Sequence, residues 1–240
     1  MNGGLFDRAA EYDAMLQKGI GLSGENKEYF TRGRIEDLRR QLPAAFRPGR
    51  ILDFGCGTGS SAAYLTATFP AADITGVDTS EAAIDRAAGL FGSSRVRFRP
   101  LAELAQEKPF DLCYVNGVFH HIEPAQRDEA ARLIYDALEP GGFCALFENN
   151  PWNPGTRMVM KRIPFDRDAI PLSAPTARRL LRRAGFDASR PARFLFWFPR
   201  PLAALRFLEP SLAGLPFGAQ YYLLAVKAEI AGAHQKEAAG

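Results

Sequence analysis

The stretch Ile51-Leu52-Asp53-Phe54-Gly55-Cys56-Gly57-Thr58-Gly59 decides the fold. A short apolar run ends in an acid and three alternating glycines, and Asp78 closes the next apolar run 19 residues after Gly59. Glycines let a backbone turn tightly and approach a ligand closely, while a helix N-terminus behind them presents unpaired amides. A carboxylate about 20 residues further on is placed to accept hydrogen bonds from ribose hydroxyls. The pattern predicts a nucleotide-binding strand–loop–helix unit. Its spacing is G-x-G-x-G, and Asp53 stands two residues before the first glycine. A negative charge there sits badly with a pyrophosphate and suits a cationic ligand.

Outward from this loop, RILDF, ADITGVD, RVRFR, FDLCYV and GFCALF read as five strands, each preceded by a helical segment. Such alternation predicts a parallel sheet covered on both faces. Ser80 is placed to cap EAAIDRAAGLF, and Pro124 to open PAQRDEAARLIYDAL before a turn at Glu139-Pro140-Gly141-Gly142. Residues 1–48 have helical spacing and no strand signal, which predicts an N-terminal helical cap, with Ser23 as an N-cap and Pro43 as its end.

After the fifth strand the rhythm breaks: four prolines fall within about 25 residues of NNPWNPGTRMVMKRIPFDRDAIPLS. We expect an insertion at about 149–172 that covers a substrate, since long loops inside compact domains are usually functional. SAPTARRLLRRAGF gives one more helix, stopped by Gly185, and PARFLFWF and AQYYLLAVKA are aromatic and β-branched like two final strands. Between them RPLAALRFLEPSLAGLPF is apolar and interrupted by Pro210. The core domain is therefore expected over 49–230, with a flexible tail at 231–240.

With 240 residues, 47% hydrophobic and 24% charged, the composition excludes long disorder, collagen-like repeats and disulfide scaffolds. No stretch reaches about 18 uninterrupted apolar residues, the length a membrane-spanning helix needs. Cys56, Cys113 and Cys144 form no CxxC pair, which suggests a reducing compartment and no metal site. The polar, acidic start MNGGLFDRAAEYD is no signal peptide, so a cytoplasmic protein is expected. The net charge of +3 hides an asymmetry, because 11 of the 14 basic residues after residue 150 are Arg. Either a carboxylate, phosphate or anionic membrane surface meets that third, or Arg178, Arg179, Arg182 and Arg183 merely solvate one helix face.

Taken together, ILDFGCGTGSSAAYL, GVDTSEAAI, FDLCYVNGVFHHI and LEPGGFCALFE resemble, in order, four motifs of the class I S-adenosylmethionine-dependent methyltransferases. The resemblance implies a seven-stranded Rossmann-like mixed sheet, its last strand antiparallel, with helices on both faces. It implies S-adenosylmethionine as cofactor, bordered by Gly55, Cys56, Gly57 and Gly59. Asp53 would help hold the cofactor's amino group, Asp78 with Thr79 the ribose hydroxyls, and Ala102 or Glu103 the adenine. Asn116, ending the fourth strand, would lie against the amino group.

Methyl transfer is an in-line displacement in which positioning supplies most of the acceleration, about 7–11 kcal/mol in good cases. A general base, if needed, must stand at the ends of the fourth and fifth strands. His120, His121 and Glu148 are the candidates there, the histidines because imidazole titrates near neutrality. Candidate substrate contacts are Tyr12, Tyr29, Phe30 and Arg34 in the cap, and Trp152, Arg157, Lys161 and Arg162 in the insertion. The expected partner is an anionic or aromatic small molecule, methylated at oxygen in preference to nitrogen or carbon, as in natural-product biosynthesis. Nucleic acid is not expected. The aromatic run Phe194–Phe198 with its cationic apolar sequel leaves packing, a dimer contact or a peripheral membrane contact open. The alternatives are methylation of a glycan or isoprenoid-linked intermediate at a membrane face, and a non-catalytic cofactor-binding scaffold. The chain could serve as monomer or homodimer.

Overall fold

The computed structural model describes residues 19–163, 166 and 168–229. Tyr12, the first part of the expected cap and the tail 231–240 lie outside them. Five strands come first: β1 (Arg50–Phe54), β2 (Asp73–Asp78), β3 (Val96–Pro100), β4 (Phe110–Asn116) and β5 (Leu138–Asn149). They pair in parallel in the order β3-β2-β1-β4-β5. Then β8 (Gln220–Lys227) runs antiparallel to β5, and β6 (Phe186–Asp187) and β7 (Arg193–Leu195) both pair antiparallel with β8.

Among the described residues the expected seven strands are thus eight, because the sixth is split. Its two pieces, β6 and β7, pair with opposite ends of β8 and are separated by residues 188–192, which include Pro191. Proline has no amide to donate to a ladder, so strands break or bulge around it. The second piece is also shorter than PARFLFWF suggests. It stops at Leu195 because Phe196 takes φ 61°, the one left-handed non-glycine backbone among the described residues. The Phe196 ring instead packs edge-on against Phe30, 4.8 Å between centroids, above Gly33. A Cβ on Gly33 would stand 2.8 Å from that ring, so the helix glycine makes room for it.

Helices cover both faces. Residues alternate across each strand, so Ile51, Ile74, Leu112, Tyr114, Ala145 and Phe147 face α1 (Lys27–Gln41) and α2 (Ala62–Thr68). Leu52, Cys113, Val115, Cys144 and Leu146 face α4 (Arg127–Asp136) and α6 (Ala174–Ala184). Between them in sequence lie α3 (Glu81–Phe91) and, in the insertion, α5 (Pro154–Arg162). Ser80 caps α3 by accepting from the Ala83 amide. The cap of α1 is Asn26, which accepts from the Tyr29 amide, and not Ser23, whose hydroxyl donates to the Ile20 carbonyl. Nor is Glu139–Gly142 a free turn. These residues belong to β5 and bulge it, with Gly141 at φ 81° where the register against β4 shifts.

The N-terminal helix is fastened to the far strands by one buried carboxylate. Asp37 on α1 accepts two bonds from Arg193 on β7, at 2.9 and 3.0 Å, and one from the Tyr222 hydroxyl on β8, at 2.8 Å. The four arginines of α6 solvate its outer side: Arg183 pairs with Asp128, and Arg178 donates to the Arg190 carbonyl. No helix among the described residues is long and apolar enough to cross a membrane.

Candidate active site

The carboxyl ends of β1, β2 and β4 meet at the glycine loop. Gly55, Gly57 and Gly59 take φ 70°, 52° and 77°, which side chains with a Cβ rarely adopt. Gly55 and Cys56 donate their amides to the Val77 carbonyl, and Gly57 donates to Asp78 Oδ2 at 2.8 Å. Asp78 Oδ1 accepts from the Ser80 amide at 3.0 Å, so one carboxylate organises both the loop and the start of α3. A Cβ on Gly57 would meet no atom within 4 Å, so this face of the loop is open to a ligand.

Asp53 is the informative anomaly. It is buried, and its Oδ2 has no hydrogen-bond partner in the protein. Burial, then the nearby Asp78 charge, push its carboxyl up to about 7 against the opposing pull of Arg34. A buried unpaired acceptor is costly unless something binds it. The residues therefore fit the cofactor that the family resemblance implies: Asp53 could take its ammonium, and the open glycine face its backbone-contacting portion. Cys56 is buried beside them, and burial together with Asp53 and Asp78 raises its thiol, so it is no thiolate.

Two cavities share this loop. A groove of about 450 Å³ is lined by Asp78, Thr79, Leu101 and Asn116 and by the turn after β4. A chamber of about 490 Å³ lies on the other side of the loop, under α1, the insertion and the segment after β7. Gly55, Gly57, Asn116, Gly117 and His121 line both, so they mark the border. Ala102 and Glu103 line neither. Glu103 is paired with Arg99 at 3.1 Å instead, and Leu101 is the residue of that turn facing the groove.

The three candidate catalytic groups come together but do not act alike. Glu148 Oε1 accepts the Phe119 amide at 2.8 Å and Oε2 accepts His120 Nδ1 at 2.6 Å, with the carboxylate fully buried. Both oxygens are occupied inside the protein, so Glu148 positions His120 and does not reach an acceptor. Burial lowers His120, but Glu148 and Asp166 outweigh it and raise the imidazole to about 10. A ring held that strongly protonated is a poor base at neutral pH. His121 is one-fifth exposed, and its Nε2 lies 3.3 Å from Asp166 Oδ1.

Of the expected substrate contacts, Tyr29, Phe30 and Arg34 line the chamber. Arg34 is not a free clamp. Its guanidinium donates to the Tyr114 hydroxyl, the Gln220 side chain and Thr31. Trp152 is half-exposed, Arg157, Lys161 and Arg162 are exposed, and none of the four lines the chamber. Local order explains this. In α5 the buried residues are Thr156 and Met160, so the charged positions fall on the outer side. Four residues that sequence reasoning missed do line it: Asp166, Asn153, Trp197 and Gln220. Only tertiary folding brings them there. The aromatic run after β7 divides between roles, with Phe194 buried in the core and Phe196, Trp197 and Phe198 forming a chamber wall.

The fold and this loop define a Rossmann-like nucleotide-binding domain of the methyltransferase type. Comparison with known proteins agrees: residues 52–144 match a family described as a methyltransferase domain. Over these residues the chain is similar to the S-adenosylmethionine-dependent methyltransferases. It is 30% identical over 167 residues to a trans-aconitate 2-methyltransferase of Rhodopseudomonas palustris, covering 67% of this chain and 64% of that protein. A second trans-aconitate 2-methyltransferase, from Methylobacterium nodulans, is 34% identical over 63% of this chain and 57% of its own length. The match thus spans less than two thirds of these relatives. Among solved structures, a TehB-like methyltransferase of Corynebacterium glutamicum superposes with a TM-score of 0.60 at 20% identity, over 91% of this chain and 97% of that one.

Proposed function

We propose that the chain is an enzyme that methylates a small-molecule acceptor, at oxygen, with S-adenosylmethionine as methyl donor. The observation that carries this reading is the buried, unpartnered Asp53 carboxylate beside an open glycine loop, at the border of two cavities. Asp53, the glycine loop, Asp78, Thr79 and Asn116 would hold the cofactor, and Leu101 would face its base. When bound, S-adenosylmethionine supplies an electrophilic methyl group on a sulfonium. The protein's contribution is positional. Asn116, Gly117 and His121 stand where the two cavities meet, so they orient whatever lies on either side. Met160 and Ile163, with Phe30, Phe196 and Trp197, give the chamber its apolar walls.

The acceptor reading follows from the same walls. The relatives' name would make it trans-aconitate, a small organic tricarboxylate, yet both guanidinium groups that line this chamber among the described residues have partners in the protein. Arg34 is bonded as above, and Arg206 pairs with Glu25 at 2.8 Å beneath the Tyr29 ring. An uncharged aromatic acceptor bearing a hydroxyl suits aromatic walls better.

Calorimetry with S-adenosylhomocysteine, followed by transfer assays over hydroxylated aromatics and over organic acids including trans-aconitate, tests the proposal. Binding with transfer to the aromatics is expected. Absence of binding would remove the cofactor reading, and binding without any transfer would favour a scaffold. Transfer to the acids alone would overturn the acceptor class.

A further inference from the structure

We propose that His120, His121 and Asp166 form a binding site for one divalent transition-metal cation, with an open coordination face towards the acceptor chamber. The three ligand atoms, His120 Nε2, His121 Nε2 and one Asp166 oxygen, lie within 4.8 Å of one another. His120 Nε2 and His121 Nε2 converge on the same oxygen, Oδ1, at 3.6 and 3.3 Å. Two imidazoles and one carboxylate on one side of a cation, with the other side open, is a donor set that suits zinc, iron(II) and their neighbours.

The independent observation is behind His120. Its Nδ1 donates to Glu148 at 2.6 Å, and Glu148 is itself held by the Phe119 amide. That bond fixes the ring so that Nε2 faces Asp166, where a metal ion would take the place of the Nε2 proton. A carboxylate behind a histidine in this way is the usual support of a metal ligand, setting its tautomer and raising its basicity. A lone pair facing a carboxylate oxygen repels it unless something positive stands between them, either a proton or a metal ion. Protons answer the two contacts one at a time. A single cation answers both together.

The insertion is also fastened where the third ligand requires it. The Ile170 amide donates to the His120 carbonyl at 2.9 Å, and Arg127 donates to the Ile170 carbonyl at 2.7 Å. Asp166 is therefore held over the histidine turn through Ile170 and through its own amide, which donates to the Ile163 carbonyl. All three ligands line the chamber, so the vacant positions of the cation would face the acceptor and could take one of its oxygens. That last step rests on the proposed function. The metal site does not.

The test uses the full-length protein, stripped with a chelator and titrated with Co²⁺ alone, read by visible absorption and by calorimetry. One equivalent should bind, with bands of a nitrogen- and oxygen-ligated cobalt. His121→Ala and Asp166→Asn, each checked for folding by its unfolding midpoint, should lose binding at least about tenfold. Glu148→Gln should weaken it by roughly 10–100-fold, as loss of a supporting carboxylate does. Acetohydroxamate, a small oxygen chelator, should shift the bands in the wild-type protein. No stoichiometric Co²⁺ in the wild type, meaning that protons alone hold the cluster, would overturn the site. So would binding that folded His121→Ala and Asp166→Asn leave unchanged. Bands indifferent to acetohydroxamate would overturn the open face. None of these readouts involves methyl transfer, so their failure leaves the cofactor reading standing.

Discussion

The two cavities that share the glycine loop are built in different ways. The cofactor groove is lined by residues between Phe54 and Leu133, one continuous part of the chain. The acceptor chamber draws on residues 20–34, 53–61, 116–121, 149–166 and 196–220. In the groove, contacts are short-range and mostly backbone, such as Gly57 to Asp78 or Ser80 to Asp78. In the chamber they cross the whole sequence, as Arg34 to Gln220 and Arg206 to Glu25 do. A groove of the first kind can be kept while the walls of the second are rebuilt, so a shared cofactor does not imply a shared acceptor.

The sharpest way to break this division is Asp37→Ala. It removes the acceptor for Arg193 and Tyr222 and so unties α1 from β7 and β8. Removing one partner of a buried pair costs about 3–5 kcal/mol, and the partial exposure of Arg193 places the loss at the lower end. Urea unfolding should show it, while S-adenosylhomocysteine affinity of the folded variant stays within about twofold. An affinity lost along with stability would mean that the two regions are one cooperative unit at this site.

Asp78→Ala probes the opposite side. It removes a charged acceptor, and hydrogen bonds to charged groups contribute roughly 1.5–3 kcal/mol. Calorimetry should report affinity for S-adenosylhomocysteine weaker by about tenfold or more. Since Asp78 also holds Gly57 and Ser80, a folded variant with unchanged affinity would remove both the residue and the loop order from the argument.

The two buried carboxylates should leave opposite marks on pH dependence. Asp53 is raised to about 7 by burial and by Asp78, against Arg34. Its favourable contribution is complete below the ordinary Asp value near 3.8 and is lost as pH rises through 7. For Asp37, burial raises the carboxyl but the bonds from Arg193 and Tyr222 outweigh it and hold it low. Its contribution is present above the ordinary range and lost as pH falls below it. Melting profiles of Asp53→Asn should therefore flatten between about pH 4 and 7, and those of Asp37→Asn below that window. Cofactor binding near pH 6 should release a proton from Asp53, seen as a buffer-dependent enthalpy. The same enthalpy in all buffers would separate Asp53 from the ammonium.

The smallest effect sharpens the chamber. Phe196→Ala removes an edge-on contact with Phe30 and a tilted one with Tyr29, each on the order of 0.5–1.5 kcal/mol. With an aromatic acceptor, KM should rise several-fold while kcat and cofactor affinity hold. A fall in kcat alone would make the ring a reporter of geometry instead of a binding wall.

The sequence by itself determined the cofactor half because its signals are local. Three glycines at alternate positions permit a left-handed turn, an acid two residues before them sits at the strand end, and strands alternating with helices predict a parallel sheet. The helix stop at Gly185 and the cap at Ser80 are legible for the same reason. The misreadings are those where a distant partner overrides a local preference. Phe196 leaves the strand for the ring of Phe30, Arg34 is taken by Tyr114 and Gln220, and Glu139–Gly142 bulge β5 against Phe110. Asp166 carried no signal among other charged residues of its loop, and its place over the histidines goes with long-range contacts such as the bond from Ile170 to His120. Spacing along the chain fixes what neighbours in sequence can do. Which side chains meet across more than a hundred residues is decided by how the sheet packs its two layers.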